Sequence, residues 1–153
     1  MKQNYKFSRQ CSEQRTPDDE KQRKIDSVRI DFTKDNKLPG LNKEDLVALG
    51  ASDKPVLLKK NIIEKNRNDH PEILPGDYNT IIGQSLYNPD GIFPGHASKP
   101  YFNFASRVGE GKSTITLLEI AKTKDYYEIV NLHWLENVAR GRKERKGERI
   151  KKS

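Results

Sequence analysis

The apolar positions along the chain follow two rhythms, and the change falls at Gly91. Residues 1–24 follow neither: they are polar and aperiodic, and TPDDEKQRK (16–24) reads as a solvated lead-in. IDSVRIDF (25–32) alternates and reads as a strand. LPGLNKEDLVALG (38–50) predicts a short helix with Asn42 as its cap and Gly50 as its stop. VLLKKNIIEKNRNDH (56–70) sets Ile62, Ile63, Asn66 and His70 near one face and ends before Pro71, as a helix should. DYNTIIGQSLYNPDG (77–91) predicts another helix, capped by Asp77, with NPDG as its turn.

Beyond Gly91 the segments are short, β-branched or aromatic, and divided by turn residues. GIF (91–93), YFNFASRV (101–108), STITLLEIA (113–121) and YYEIVNLHWL (126–135) read as strands. Gly109-Glu110-Gly111-Lys112 and Lys122-Thr123-Lys124-Asp125 are links of hairpin size, so neighbouring strands should pair antiparallel. The expected fold is α+β: two or three N-terminal helices on one face of an antiparallel meander of three or four strands, with the other face left available.

Composition changes this picture at the termini. Only 33% of the 153 residues are hydrophobic and 33% are charged, so part of the chain is expected not to pack. Residues 140–153 hold eight Lys or Arg against Glu144 and Glu148, a net +6 out of the chain's +7. The expected division is therefore a polar lead-in over 1–24, an α+β domain over 25–138 and a basic tail over 139–153. Such a tail can hold a phosphate backbone without reading sequence, or can simply be a solvated helical arm. Cys11 is the only cysteine, which rules out a disulfide framework and a CxxC zinc site within one chain. With no apolar run of membrane length and no signal-peptide stretch at the start, a soluble cytoplasmic protein without membrane contact is expected.

Several chemistries fit poorly. GEGKST (109–114) resembles the end of a phosphate loop, but the position that needs the first glycine holds Ser106, and STITLLEI suits a strand rather than the required helix. His70, His96 and His133 lie 26 and 37 residues apart, with no HExxH and no metal-ligand spacing, so neither a metal nor another cofactor is expected. No GxSxG elbow occurs.

Acid–base chemistry on a phosphate remains. Metal-free RNA cleavage needs a base for the 2′-hydroxyl proton, an acid for the leaving 5′-oxygen, and cations on the phosphoryl oxygens. Histidine suits both proton roles. His70 at a helix end and His133 on the last strand would face each other if that helix packs over the sheet. Lys59, Lys60, Lys65, Arg67 and Arg107 are the nearby cations. Each has a bland counterpart: His70 as a helix C-cap, His133 as a partly buried strand residue beside Trp134, the lysines as solvated surface. Phe102 and Phe104 read as core, whereas Tyr101 could stack on a base. His96 sits in the Gly/Pro-flanked loop FPGHASKP.

VLLKKNIIEKNRNDHPEI, a helix ending in LYNPDGIF, then KPYFNFASRV and TITLLEIAKTKDYYEIVNLHW together resemble the phage-associated barnase–EndoU–colicin–RelE-like nuclease domains, PBECR. The likeness spans roughly residues 41–137. It implies a barnase- or RelE-like, metal-independent ribonuclease, phage- or toxin-associated, with a catalytic lysine and histidine on the helix, here Lys60 and His70. The family's last strand often carries a valine–threonine pair where this chain has Val130 and Asn131. That departure leaves the role of Asn131 open, and His133, two residues on and facing the same side, can take it over. The resulting catalytic set is His70, Lys60, His133 and Asn131, with Lys65, Arg67, Tyr101 and Arg107 as substrate contacts. RNA is the expected partner, with transfer RNA one candidate; the resemblance also raises an immunity protein, and a monomer is expected. The competing class is a nucleic-acid-binding or virion-associated module of the same fold without turnover.

Overall fold

A computed structural model of the chain describes residues 16–146. The polar stretch before Thr16, Cys11 included, and the tail cations Arg149, Lys151 and Lys152 lie outside the described residues. Within them the fold is α+β, with five helices and a six-stranded, mostly antiparallel sheet.

Two expectations at the N-terminal side are corrected. TPDDEKQRK is solvated but not aperiodic: it caps and begins helix α1 (Pro17–Ser27). Thr16 Oγ1 accepts the Asp19 N–H at 3.1 Å, Asp19 accepts the Thr16 N–H, and Pro17 fills the first turn, where its missing donor costs nothing. IDSVRIDF is therefore no strand. Its first residues complete α1, and the edge strand β1 (Asn36–Leu38) comes only after a turn that Asn36 ties to Asp31. Helix α2 (Lys43–Leu49) ends on Gly50 at φ +65°, a left-handed conformation that suits glycine. Asn42 does not cap it by side chain; its Nδ2 donates instead to the Tyr87 carbonyl at 2.7 Å.

The segment expected as one helix over 56–70 divides in two. Val56 and Leu58 are buried in strand β2 (Val56–Leu58), which pairs antiparallel with β1, and helix α3 (Lys60–Asp69) follows. Helix α4 (Asp77–Tyr87) then leads into β3 (Gly91–Pro94), β4 (Tyr101–Gly109), β5 (Lys112–Glu119) and β6 (Tyr127–Glu136). The last four strands form the expected meander. The sheet order is β1-β2-β6-β5-β4-β3, so β2 joins the far side of β6, and it does so parallel.

Strand parity decides what each face carries. Thr116 meets Ser85 of α4 at 2.6 Å, so the face with Phe104, Leu118, Ile129 and Leu132 is the one α4 covers with Tyr78, Ile81, Ile82 and Leu86. A bulge at the Leu117/Leu118 step inserts Val130 between Ile129 and Leu132, which lets both reach that core. After the bulge Asn131, His133 and Leu135 point the other way, opposite Leu117, Ile115 and Ser113. This second face is not left open. Helix α5 (Asn137–Lys146) packs on it above a small cluster of Phe93, Ala105 and Ile115, with Leu135 at its margin.

Candidate active site

Beyond Glu128 the outer edge of β6 has no strand beside it, because β2 pairs only with Tyr127 and Glu128. Helix α3 takes that place. Asn66, 2% exposed, accepts the Leu132 N–H at 2.9 Å and donates to the Tyr78 hydroxyl at 3.1 Å. One side chain thus satisfies the strand edge and joins α3 to α4, while Ile63 buries the apolar stripe. His70 follows Asn66 by four residues, on the same side of the helix, and Leu132 precedes His133. The result is a near-parallel stack of the His70 and His133 rings, centroids 5.2 Å apart and 11° between planes.

The two rings differ in setting. His70 is about one-third exposed, and its Nδ1 lies 3.2 Å from the Glu72 carboxylate. Glu72's own backbone N–H, helped by the His70 ring, holds that carboxyl below its usual range. An ionised Glu72 only accepts, so His70 Nδ1 is the donor and Nε2 is left to take or give a proton. His133 is held down to about 4, first by burial, then by the charges of His70 and Lys143, with Glu72 opposing. It is a neutral imidazole at neutral pH. His133 Nδ1 and Asn131 Oδ1 are buried with no hydrogen-bond partner among the described residues. These two atoms lie on one sheet face, beside the stacked ring of His70.

The other expected site residues lie elsewhere. Lys60 stands at the N-terminal end of α3, exposed, 3.9 Å from Glu64 and about 15 Å along the helix from His70. Lys65 pairs with Asp69 at 3.2 Å, and Arg67 lies over the Phe32 ring at 5.1 Å. Arg107 pairs with Asp90 at 3.3 Å. Tyr101 shares the face of His133 but lies two strands and four residues away, roughly 17 Å. There it contacts His96 and Lys99. The structure therefore brings together His70, His133 and Glu72, with Asn131 two residues from His133 on the same face, and leaves Lys60, Tyr101 and Arg107 apart from them, while Lys65 and Arg67 stay on α3 with the partners just given. Glu72 was missed because a carboxylate two residues past a helix end carries no periodic signal.

Among the described residues no group of three or more His, Cys, Asp or Glu is placed to hold a metal ion. No described helix is long and apolar enough to cross a membrane. The sequence model of the family described as "Large polyvalent protein-associated domain 13" matches residues 25–147, most of the chain, and the chain belongs to that family. No curated protein and no solved structure matches it.

Proposed function

We propose that this member of the large polyvalent protein-associated domain 13 family is a metal-independent endoribonuclease whose proton transfers are made by His133 and His70. The observation that carries the reading is the stack of two histidines 63 residues apart in sequence, one neutral and partly buried, the other tied through Nδ1 to a carboxylate. In the forward step neutral His133 takes the proton of a ribose 2′-hydroxyl as its oxygen attacks the adjacent phosphorus. His70, protonated, gives its proton to the departing 5′-oxygen, so the P–O5′ bond breaks and a 2′,3′-cyclic phosphate forms. Glu72 orients His70 by accepting from Nδ1. Asn131, two residues from His133 on the same face, lines the site, its carbonyl oxygen buried. A phage- or toxin-associated setting follows from the PBECR resemblance, and a domain of polyvalent proteins is compatible with it.

The position of Lys60 favours one other reading. With the expected helical lysine about 15 Å from His70, the fold could serve as a nucleic-acid-binding or virion-associated module without turnover. Incubation of the purified protein with total RNA in EDTA separates the two. Cleavage leaving 2′,3′-cyclic phosphate ends is the expected result; activity lost in EDTA and restored by zinc or magnesium would overturn the mechanism, and binding without cleavage would favour the second reading.

A further inference from the structure

We infer that the loop between β3 and β4 carries a second nucleotide subsite, in which Tyr101, His96 and Lys99 take an unpaired base and the adjoining phosphate of an RNA strand cut at the His70–His133 pair. The inference rests on the ribonuclease reading for the cut, whereas the subsite stands on the geometry of the loop. Residues 95–100 are fastened at both ends. The Gly95 N–H donates to the Tyr101 carbonyl, the Tyr101 N–H to the Lys99 carbonyl and the Ile120 N–H to the Pro100 carbonyl, each at 2.8 Å. Gly95 marks where the loop crosses the sheet. A Cβ there would fall on the Leu117 side chain and come within 3.2 Å of Asn103 Nδ2, so the backbone closes on that face through a space that only glycine leaves. Leu117 stands opposite Asn131, one strand spacing or about 5 Å away, and Asn131 is two residues from His133 on the same face. The loop thus starts beside the histidine site and runs from there to Tyr101.

Its side chains suit a base. Tyr101, half-buried, meets the His96 ring edge to face, centroids 6.1 Å apart and 71° between planes, and the Lys99 ammonium lies over the Tyr101 ring at 5.5 Å. His96 Nδ1 accepts the Ser98 backbone N–H at 3.1 Å, which leaves the ring hydrogen on Nε2 as a donor. Lys99 is exposed, and its contact with the ring is the weak attraction of an ammonium for an aromatic face. A base stacking on Tyr101 takes the place of that ammonium, which then meets the phosphate of the same nucleotide, while His96 Nε2–H reaches an acceptor on the base edge. Tyr101 lies roughly 17 Å from His133, so this base belongs to a nucleotide beyond the two joined by the broken bond. Bases in a duplex are already stacked and paired, which makes the substrate single-stranded RNA longer than a dinucleotide.

The test uses Tyr101→Ala, Tyr101→Phe and His96→Ala, each with its melting temperature, on an RNA dinucleotide, an RNA hexamer and a 2′-O-methyl hexamer that binds but cannot be cut. The 2′-O-methyl hexamer should bind the wild type as a single strand and not as a duplex. It should bind Tyr101→Ala roughly 5- to 100-fold more weakly and Tyr101→Phe about as well as the wild type, because the ring and not the hydroxyl stacks. His96→Ala, at an exposed position, should weaken the same binding roughly 3- to 10-fold. On the cleavable hexamer the Tyr101→Ala loss should fall in KM rather than kcat and exceed the loss on the dinucleotide. Hexamer binding that depends on Tyr101 and His96 without cleavage of any RNA would sink the ribonuclease reading and leave the subsite standing. Tyr101→Ala and His96→Ala proteins that bind and cut the hexamer like the wild type would overturn the inference and leave the ribonuclease reading intact. Equal binding of the duplex, or equal Tyr101→Ala losses on dinucleotide and hexamer, would also overturn it, the second by reducing Tyr101 to a support of the fold.

Discussion

The α5-covered face of the sheet carries a polar cluster at each side, and the two are built differently. On the β3 side, Arg140 meets Asp90, Glu144 and Ser113, Asp90 also accepts the Arg107 N–H at 2.7 Å, and Nε is the one Arg140 nitrogen without a partner among the described residues. Burial would raise the Asp90 carboxyl, but the Arg140 guanidinium and the Arg107 N–H outweigh it and hold the group below its usual range. On the β6 side, His133 and Asn131 each keep a buried polar atom unpaired. Buried polar groups that satisfy one another hold a fold together; those left unsatisfied cost stability and persist where something else uses them. The contrast assigns α5 attachment to the first cluster and fits the second to the proposed chemistry.

The strongest challenge to that division is Arg140→Ala. It would leave Asp90 partly buried without its main partner, and breaking a buried ion pair costs about 3–5 kcal/mol, read as a lower urea midpoint. A cost under about 1 kcal/mol would show that the clamp does not hold α5. Acid titration probes the other cluster. In the fold His133 stays neutral down to about pH 4, whereas in the unfolded chain it takes a proton near its usual 6.5. Between those values the unfolded state binds the extra proton, so stability should fall as pH drops from about 6.5 to 4, by up to about 3 kcal/mol. His133→Phe should flatten that slope, and Asp90 adds its own loss only below its ordinary range, near pH 3.8. An unchanged slope in His133→Phe would remove the claim that His133 is held neutral by the fold.

The smallest effect sharpens the contrast most. Asn131→Leu removes an unsatisfied oxygen and should be neutral or stabilising by up to about 1 kcal/mol while lowering RNA cleavage. A clear destabilisation would give Asn131 a structural partner and move it into the first class.

The sequence shows this division only in part. The meander was legible because turn residues separate β-branched runs, with Gly109, Glu110 and Gly111 all at positive φ in the tightest link. Strands β1 and β2 were not, since three residues are too few to display alternation, and α1 was hidden because its sequence is polar almost throughout. The one signal for α1 is local, the capping pair of Thr16 and Asp19, and the polar composition around it outweighed it. His70 and His133 could be named from residue type, but their meeting depends on Asn66 filling an empty sheet edge, which no spacing rule encodes. Arg140 looked like one tail cation among eight, and only the fold places it at 1% exposure. The residues from 147 onward and those before Thr16 lie outside the described part, so the division of the chain at its ends stands there as read from composition.

Whether His70 and His133 act as one acid–base pair, as proposed, is read most directly from the RNA cleavage rate of His70→Ala beside its melting temperature. His70 is about one-third exposed and among the described residues makes a single side-chain hydrogen bond, to an exposed carboxylate, so its loss should leave stability nearly unchanged. An acid–base pair gives a rate lower by roughly 100- to 10,000-fold in His70→Ala, with His133→Ala comparable and the wild-type profile bell-shaped, its acid limb near pH 4. A folded His70→Ala protein that cleaves RNA at the wild-type rate would contradict it.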